Sequence, residues 1–331
     1  MSARALFLFS LLLVAIDGTR ACDLCAVYNA DAAANGSGKS LSFTISEQFI
    51  PYRTVQMDGE ELPPSILDRT FLDSSITHLV PSWNISEKLS LSLNVPIVLK
   101  KFYRYQLTGT GILTEAGRED GLGDISLIGR YRVFELTQSK MACSVNLLAG
   151  AKFPTGNAER IEEEVDSTRA LDAIYGVGHQ HSISGVHSRD LALGSGSYDA
   201  VAGVTANVRW SRFLANAQFQ YYLRTRGESG YRIGDEWMVS GGPGGYLVLD
   251  DSFTLSLQAL ATYNTMNPDT VLGRENRNTG MAATYLGPQI NLTIGEHFSA
   301  NAGVDIPMQI DNQGLQNVPD YRIHAGVSFR F

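Results

Sequence analysis

Hydrophobic and polar residues alternate one by one through long stretches of this sequence. In YRIHAGVSFRF, residues 321–331, Tyr321, Ile323, Ala325, Val327, Phe329 and Phe331 interleave with Arg322, His324, Gly326, Ser328 and Arg330. Successive side chains of a β-strand point to opposite faces, so this segment predicts a strand with one apolar and one wet face. KLSLSLNVPIVL, FLANAQFQYYL and FTLSLQALATYN repeat the pattern, as do CSVNLLAGAKF and HFSANAGVDIPM, and GDISLIGRYRV sets Arg130 and Arg132 on its polar side. Strands are predicted near 40–55, 71–84, 88–104, 122–136, 141–154, 196–210, 212–226, 235–249, 253–266, 280–294, 297–309 and 320–331.

A soluble sandwich also alternates, so three further features decide the class. The segments run to about 10–15 residues, long for a soluble strand of about 5–6 but suited to a tilted membrane strand. Very short connectors (TQSK, SR, LDDS, IGEH) alternate with longer ones, the turn-and-loop asymmetry of outer-membrane barrels. Trp83, Phe134, Trp210, Phe213, Phe253 and Phe298 sit beside the short turns, where an interfacial aromatic girdle belongs. The expected fold is all-β: a transmembrane antiparallel up-and-down β-barrel of about twelve strands over 40–331, embedded in outer-membrane lipid with both termini periplasmic. Pro51, Pro96, Pro154 and Pro307 are expected to mark upper strand ends, because proline cannot donate to a ladder.

THLVPSWNISEKLSLSLNVPIV, GLGDISLIGRYRVF, LLAGAKFPTGN and LGSGSYDAVAGV, in that order, resemble the outer-membrane transporter family named for the meta-pathway of phenol degradation. That family is related to barrels for long-chain fatty acids and aromatic hydrocarbons. The resemblance covers residues 70–331 and implies passive passage of small, often hydrophobic or aromatic solutes. The terminal Phe331 likewise resembles the signal read by the barrel-assembly machinery.

The N-terminus adds an address. Arg4, the apolar run Leu6–Ile16 and the small residues Thr19 and Ala21 make 1–21 a secretory signal peptide, with 22–39 a periplasmic segment before the barrel. The formal charge is -8 and no Lys/Arg run occurs, which argues against a nucleic-acid partner.

Candidate chemistry falls in two places. The wet faces place Asp124, Arg130, Arg132, Lys152, Arg209, Gln218, Gln220, Arg224, Asp305, Arg322, His324 and Arg330 in the lumen, along the expected solute path. An excess of arginine there would favour organic anions; an internal ion-pair network is the alternative. A metal-linked barrel is the rival reading. Cys22 and Cys25 form a C-x-x-C pair able to close a disulfide, hold a soft transition metal or meet a periplasmic partner, and Cys22 is also a conceivable lipidation point. His179, His181 and His187, half of the six histidines, sit in the long connector 155–195, expected to be an extracellular loop, and are suited to zinc, copper or nickel. No cofactor is otherwise implied. No enzymatic motif stands out; His78 near Ser74, Ser75 and Ser82 is the nearest approach to a hydrolase pair, and the chain reads as a non-enzyme.

Overall fold

The computed structural model describes residues 40–63, 70–108, 111–176, 188–227 and 229–331. The leader, Cys22, Cys25, His179, His181 and His187 lie outside the described residues. Twelve antiparallel strands close into a barrel. They are β1 (Leu41–Met57), β2 (Phe71–Asn84), β3 (Leu89–Thr108), β4 (Ser126–Thr137), β5 (Met141–Lys152) and β6 (Asp199–Trp210). The second half comprises β7 (Phe213–Leu223), β8 (Glu236–Leu249), β9 (Phe253–Met266), β10 (Met281–Ile294), β11 (Phe298–Asn312) and β12 (Arg322–Arg330). Each expected strand is present. Each pairs with its chain neighbours, and β1 closes the ring against β12, from Ser42 opposite Arg330 to Phe49 opposite Ile323.

Sidedness follows the alternation. On β9 the outward Leu257, Ala259, Ala261 and Tyr263 are exposed, while Ser256, Gln258, Leu260, Thr262 and Asn264 point inward and are buried. β9 and β10 keep one register from Phe253 opposite Ile294 to Met266 opposite Met281, so the apolar exterior continues from strand to strand. Trp83, Phe134, Trp210 and Phe213 are exposed at the short-turn end. In the two-residue turn between β6 and β7, Ser211 takes a left-handed φ of 56°, which matches the strand twist of such hairpins.

The long connectors build a cap at the other end. Helix α1 (Glu159–Tyr175) and the short helix α2 (Ser188–Leu191) come from the connector 155–195, which is therefore not a plain loop. A three-stranded sheet joins Tyr231–Arg232, Asp269–Val271 and Arg274–Asn276. β3 continues upward as a hairpin with Gly111–Leu122, and Leu315–Pro319 extends the wall beside β1.

The proline expectation is corrected. Pro51 faces Asp73 within β1, Pro96 faces His78 within β3, and Pro307 faces Tyr285 within β11. Of the four, Pro154 alone follows its strand. Next to Pro307 the β10–β11 pairing shifts register between Thr284 and Tyr285, and beyond Pro51 the pairing of β1 with Leu315–Pro319 shifts between Tyr52 and Thr54.

Candidate functional site: a capped chamber in the lumen

The lumen changes character along the barrel axis. Toward the turn end most of its hydrogen-bonded pairs are between neutral hydroxyls and amides, with Arg130, Arg132 and Arg209 set among them. Thr44 and Ser328 hydroxyls meet at 2.6 Å, Ser82 and Ser92 at 2.7 Å, and the Asn146 amide donates to Thr205 at 3.0 Å. Arg130 reaches across to the Ser90 hydroxyl at 3.2 Å. At mid-height His78 Nδ1 and Asn94 Oδ1 lie 2.9 Å apart. His78 thus faces the lumen, whereas Ser75 faces lipid, so no lipid-facing Ser–His pair forms there.

Toward the cap the lining becomes ionic. Lys152 Nζ lies 2.9 Å from Asp124 and 2.7 Å from Asp199, and all three side chains are buried. Arg224 continues the chain, 3.2 Å from Asp199 and 3.2 Å from Glu236. Five charges of alternating sign therefore run side by side from the segment before β4 to β8. On the opposite wall Arg322 pairs with Asp305 at 3.2 Å, and its guanidinium lies over the Tyr285 ring, 3.6 Å from the centroid. His324 occupies the wall below. Its ring crosses Gly303, where a Cβ would come within 2.5 Å of Nε2, so only glycine leaves room for the imidazole.

The same carboxylates pin the cap. Asp124 accepts from the backbone N–H of Gly156 (3.0 Å) and of Ser195 (2.8 Å), tying both ends of the connector to one wall residue. Inside the mouth, Lys100 Nζ donates to the carbonyls of Asp190 (2.9 Å) and Ala192, while Leu191 is fully buried against Leu72 and Phe102. Arg189 pairs with Asp190 and Asp269. Burial alone would lower its pKa, but those two carboxylates hold the guanidinium protonated above the usual arginine range. Burial, then Asp269, raises the pKa of Tyr231, which stays neutral and donates to Asp269 at 2.5 Å. Ile161 and Val165 of α1 complete this small core with Ala192, Tyr231 and Val271.

Between wall and cap lies a cavity of about 190 Å³. Its lining mixes apolar residues such as Ile50, Ile76, Val98, Met281 and Tyr285 with polar ones such as His78, Asn94, Asn264 and Asn317 and with the charged Lys100, Asp124, Lys152, Arg189, Asp190, Arg224, Glu236 and Arg322. The sequence-derived lumen residues therefore divide. Lys152, Arg224 and Arg322 line the cavity, with Asp305 and His324 on the wall next to Arg322. Arg130, Gln218 and Gln220 lie deeper in the lumen, and Arg132 and Arg209 near the turn end, Arg132 paired with Glu135. Of the acids facing these cations, Asp124 and Asp305 stood in the sequence-derived set, and Asp199 and Glu236 did not. Of the two readings of these cations, the ion-pair network describes the cavity wall, where Lys152, Arg224 and Arg322 each face a carboxylate. Sequence reading missed Lys100, Arg189, Asp199 and Glu236. The last two were open to discovery as inward positions at the strand starts, but Lys100 and Arg189 act only once the connector folds back. Among the described residues no group of three metal-ligating side chains forms.

The structure is similar to the COG4313 outer membrane channel from Pseudomonas putida F1, with a TM-score of 0.61 at 13% identity over 91% of this chain and 98% of that one. The fold is that of an outer-membrane β-barrel. Weaker likenesses include the translocator domain of autotransporter NalP from Neisseria meningitidis, with a TM-score of 0.45 at 11% identity over 93% and 94% of the two chains. A Pseudomonas aeruginosa FadL homologue gives 0.37 at 10% over 92% and 93%. No family model and no curated protein matches the sequence.

Proposed function

We propose that this barrel is an outer-membrane channel for passive passage of small amphipathic solutes, hydrophobic or aromatic ones foremost. The observation that carries the reading is the chamber under the cap: the barrel wall surrounds a space lined by both apolar and polar side chains. Such a lining suits a molecule with an apolar body and a polar handle. Because Lys152, Arg224 and Arg322 are matched by acids, and Lys100 is held by backbone carbonyls, selectivity rests on shape and polarity more than on net charge. That a barrel of the same fold is an outer membrane channel supports this placement. The cap end would then face the exterior and the short turns the periplasm. Residues 1–21 would act as a removed leader, residues 22–39 would lie at the periplasmic mouth, and Phe331 would address the assembly machinery.

Liposome swelling with purified protein tests the reading. Small aromatic alcohols are expected to swell protein-containing vesicles faster than sugars of equal size. Swelling no faster than in protein-free vesicles, for every solute and also with the cap-loosening Lys100→Met variant described below, would overturn it.

A further inference from the structure

The lipid-facing side carries a carboxylate at mid-depth. On β4 to β10 the outward positions hold no Asp, Glu, Lys, Arg or His. On β1, however, Glu47 points outward. Its carboxylate accepts the hydroxyls of Ser75 and, at 2.5 Å, of Thr77, both outward on β2. Glu47 stands directly opposite Thr77 on one side and Ala325 on the other. Along the same wall the paired Phe43 and Phe329 lie below it, and the Phe49 and Tyr321 rings, 6.2 Å apart, lie above. The carboxylate is therefore inside the apolar band, between two aromatic levels, where an ionisable group is costly and marks a functional surface.

We infer that this face of β1 and β2 is where a second copy of the chain docks. Lipid acyl chains offer no donor at that depth, and lipid headgroups lie outside the aromatic levels, so a side chain from another barrel is what can reach Glu47. Two copies share one orientation in the membrane, so their two-fold axis runs along the membrane normal and like depths meet. An isologous contact then requires a patch complementary to itself at a single depth. This patch is: Ser75 and Thr77, whose single protons go to their own Glu47, can turn them to the Glu47 of the second copy while its hydroxyls do the same in return, and the carboxylate has lone pairs to take part in the exchange. Placing the axis by Thr77 keeps the two carboxylates apart. Toward the cap, Asp73 and Arg53, paired at 3.0 Å, carry both signs of charge and extend the self-complementarity.

In-membrane disulfide trapping tests the dimer without any transport readout, so its failure is separate from failure of the channel reading. In full-length protein with Cys22, Cys25 and Cys143 changed to Ser, Leu79→Cys (outward beside Thr77) should form a covalent dimer on oxidation in native membranes. Leu257→Cys, outward on β9, should stay monomeric. Glu47→Leu in the Leu79→Cys background should lower the trapped dimer about tenfold, while Glu47→Gln, which still accepts hydroxyls, should retain most of it; heat-modifiability on gels verifies that each variant is folded. Absence of the Leu79→Cys dimer together with a monomeric mass in native mass spectrometry overturns the inference, as would occupancy by lipid or an unrelated protein. Equal trapping at both positions, or trapping indifferent to Glu47→Leu, overturns it too.

Discussion

The two halves of the lumen hold polar groups by opposite means. Toward the turns, neutral partners such as Ser82 and Ser92, or Asn146 and Thr205, share single hydrogen bonds. Toward the cap, Asp124, Lys152, Asp199, Arg224 and Glu236 form a continuous buried ionic chain. A neutral pair loses little when one member is removed. A buried charge loses much, because the carboxylate left behind keeps its desolvation cost without its partner. The difference places rigidity at the wall that anchors the cap and leaves the lower lumen tolerant of change.

Three substitutions bear on that contrast. Lys152→Met should be the most damaging, since it leaves the buried Asp124 without a cation and Asp199 with Arg224 alone; a loss of about 3–5 kcal/mol is expected, read as a lowered unfolding temperature in detergent. An unchanged midpoint would mean that the ionic chain is not structural. Lys100→Met removes two charge-assisted bonds to the segment inside the mouth, each contributing about 1.5–3 kcal/mol. Bilayer conductance should rise about tenfold or more, and the cap would be shown to be held elsewhere if single-channel recordings matched the parent. Ser92→Ala should cost only about 0.5–1.5 kcal/mol and leave conductance as it was. A drop in its unfolding midpoint as large as that for Lys152→Met would erase the distinction between the halves.

Alternation reports which face a side chain takes, and that is why the barrel strands were legible in sequence. It is silent on what the side chain meets there. Lys152, Arg224 and Arg322 face the lumen, but their acids come from other strands and loops, so the pattern alone left an arginine excess and an ion-pair network both open, and the pairing decides for the network. The cap was hidden for a different reason. In ERIEEEVDSTRALDAIY the apolar face turned to the cap core is little more than Ile161 and Val165, too thin a stripe to announce a helix inside a connector. Nor does a local pattern show Pro51 or Pro307 sitting inside strands, because the neighbouring register shifts belong to the pairing. Glu47 was visible as an interruption of an apolar face, but only the register with Thr77 gives the interruption meaning.

The seam between β1 and β12 has a consequence for how the molecule is made. The hydroxyl pair Thr44 and Ser328 joins residues 284 positions apart, so one of the bonds that seal the cylinder spans nearly the whole described chain. Until both partners are present, β1 and its eventual neighbour each show an open row of backbone donors and acceptors, which hydrocarbon does not satisfy. Membrane insertion therefore has to wait for the distal strand, and such long-range closure is slow. A nascent or truncated chain lacking β12 would be a sheet with two sticky edges, a substrate for chaperones and proteases rather than a smaller channel.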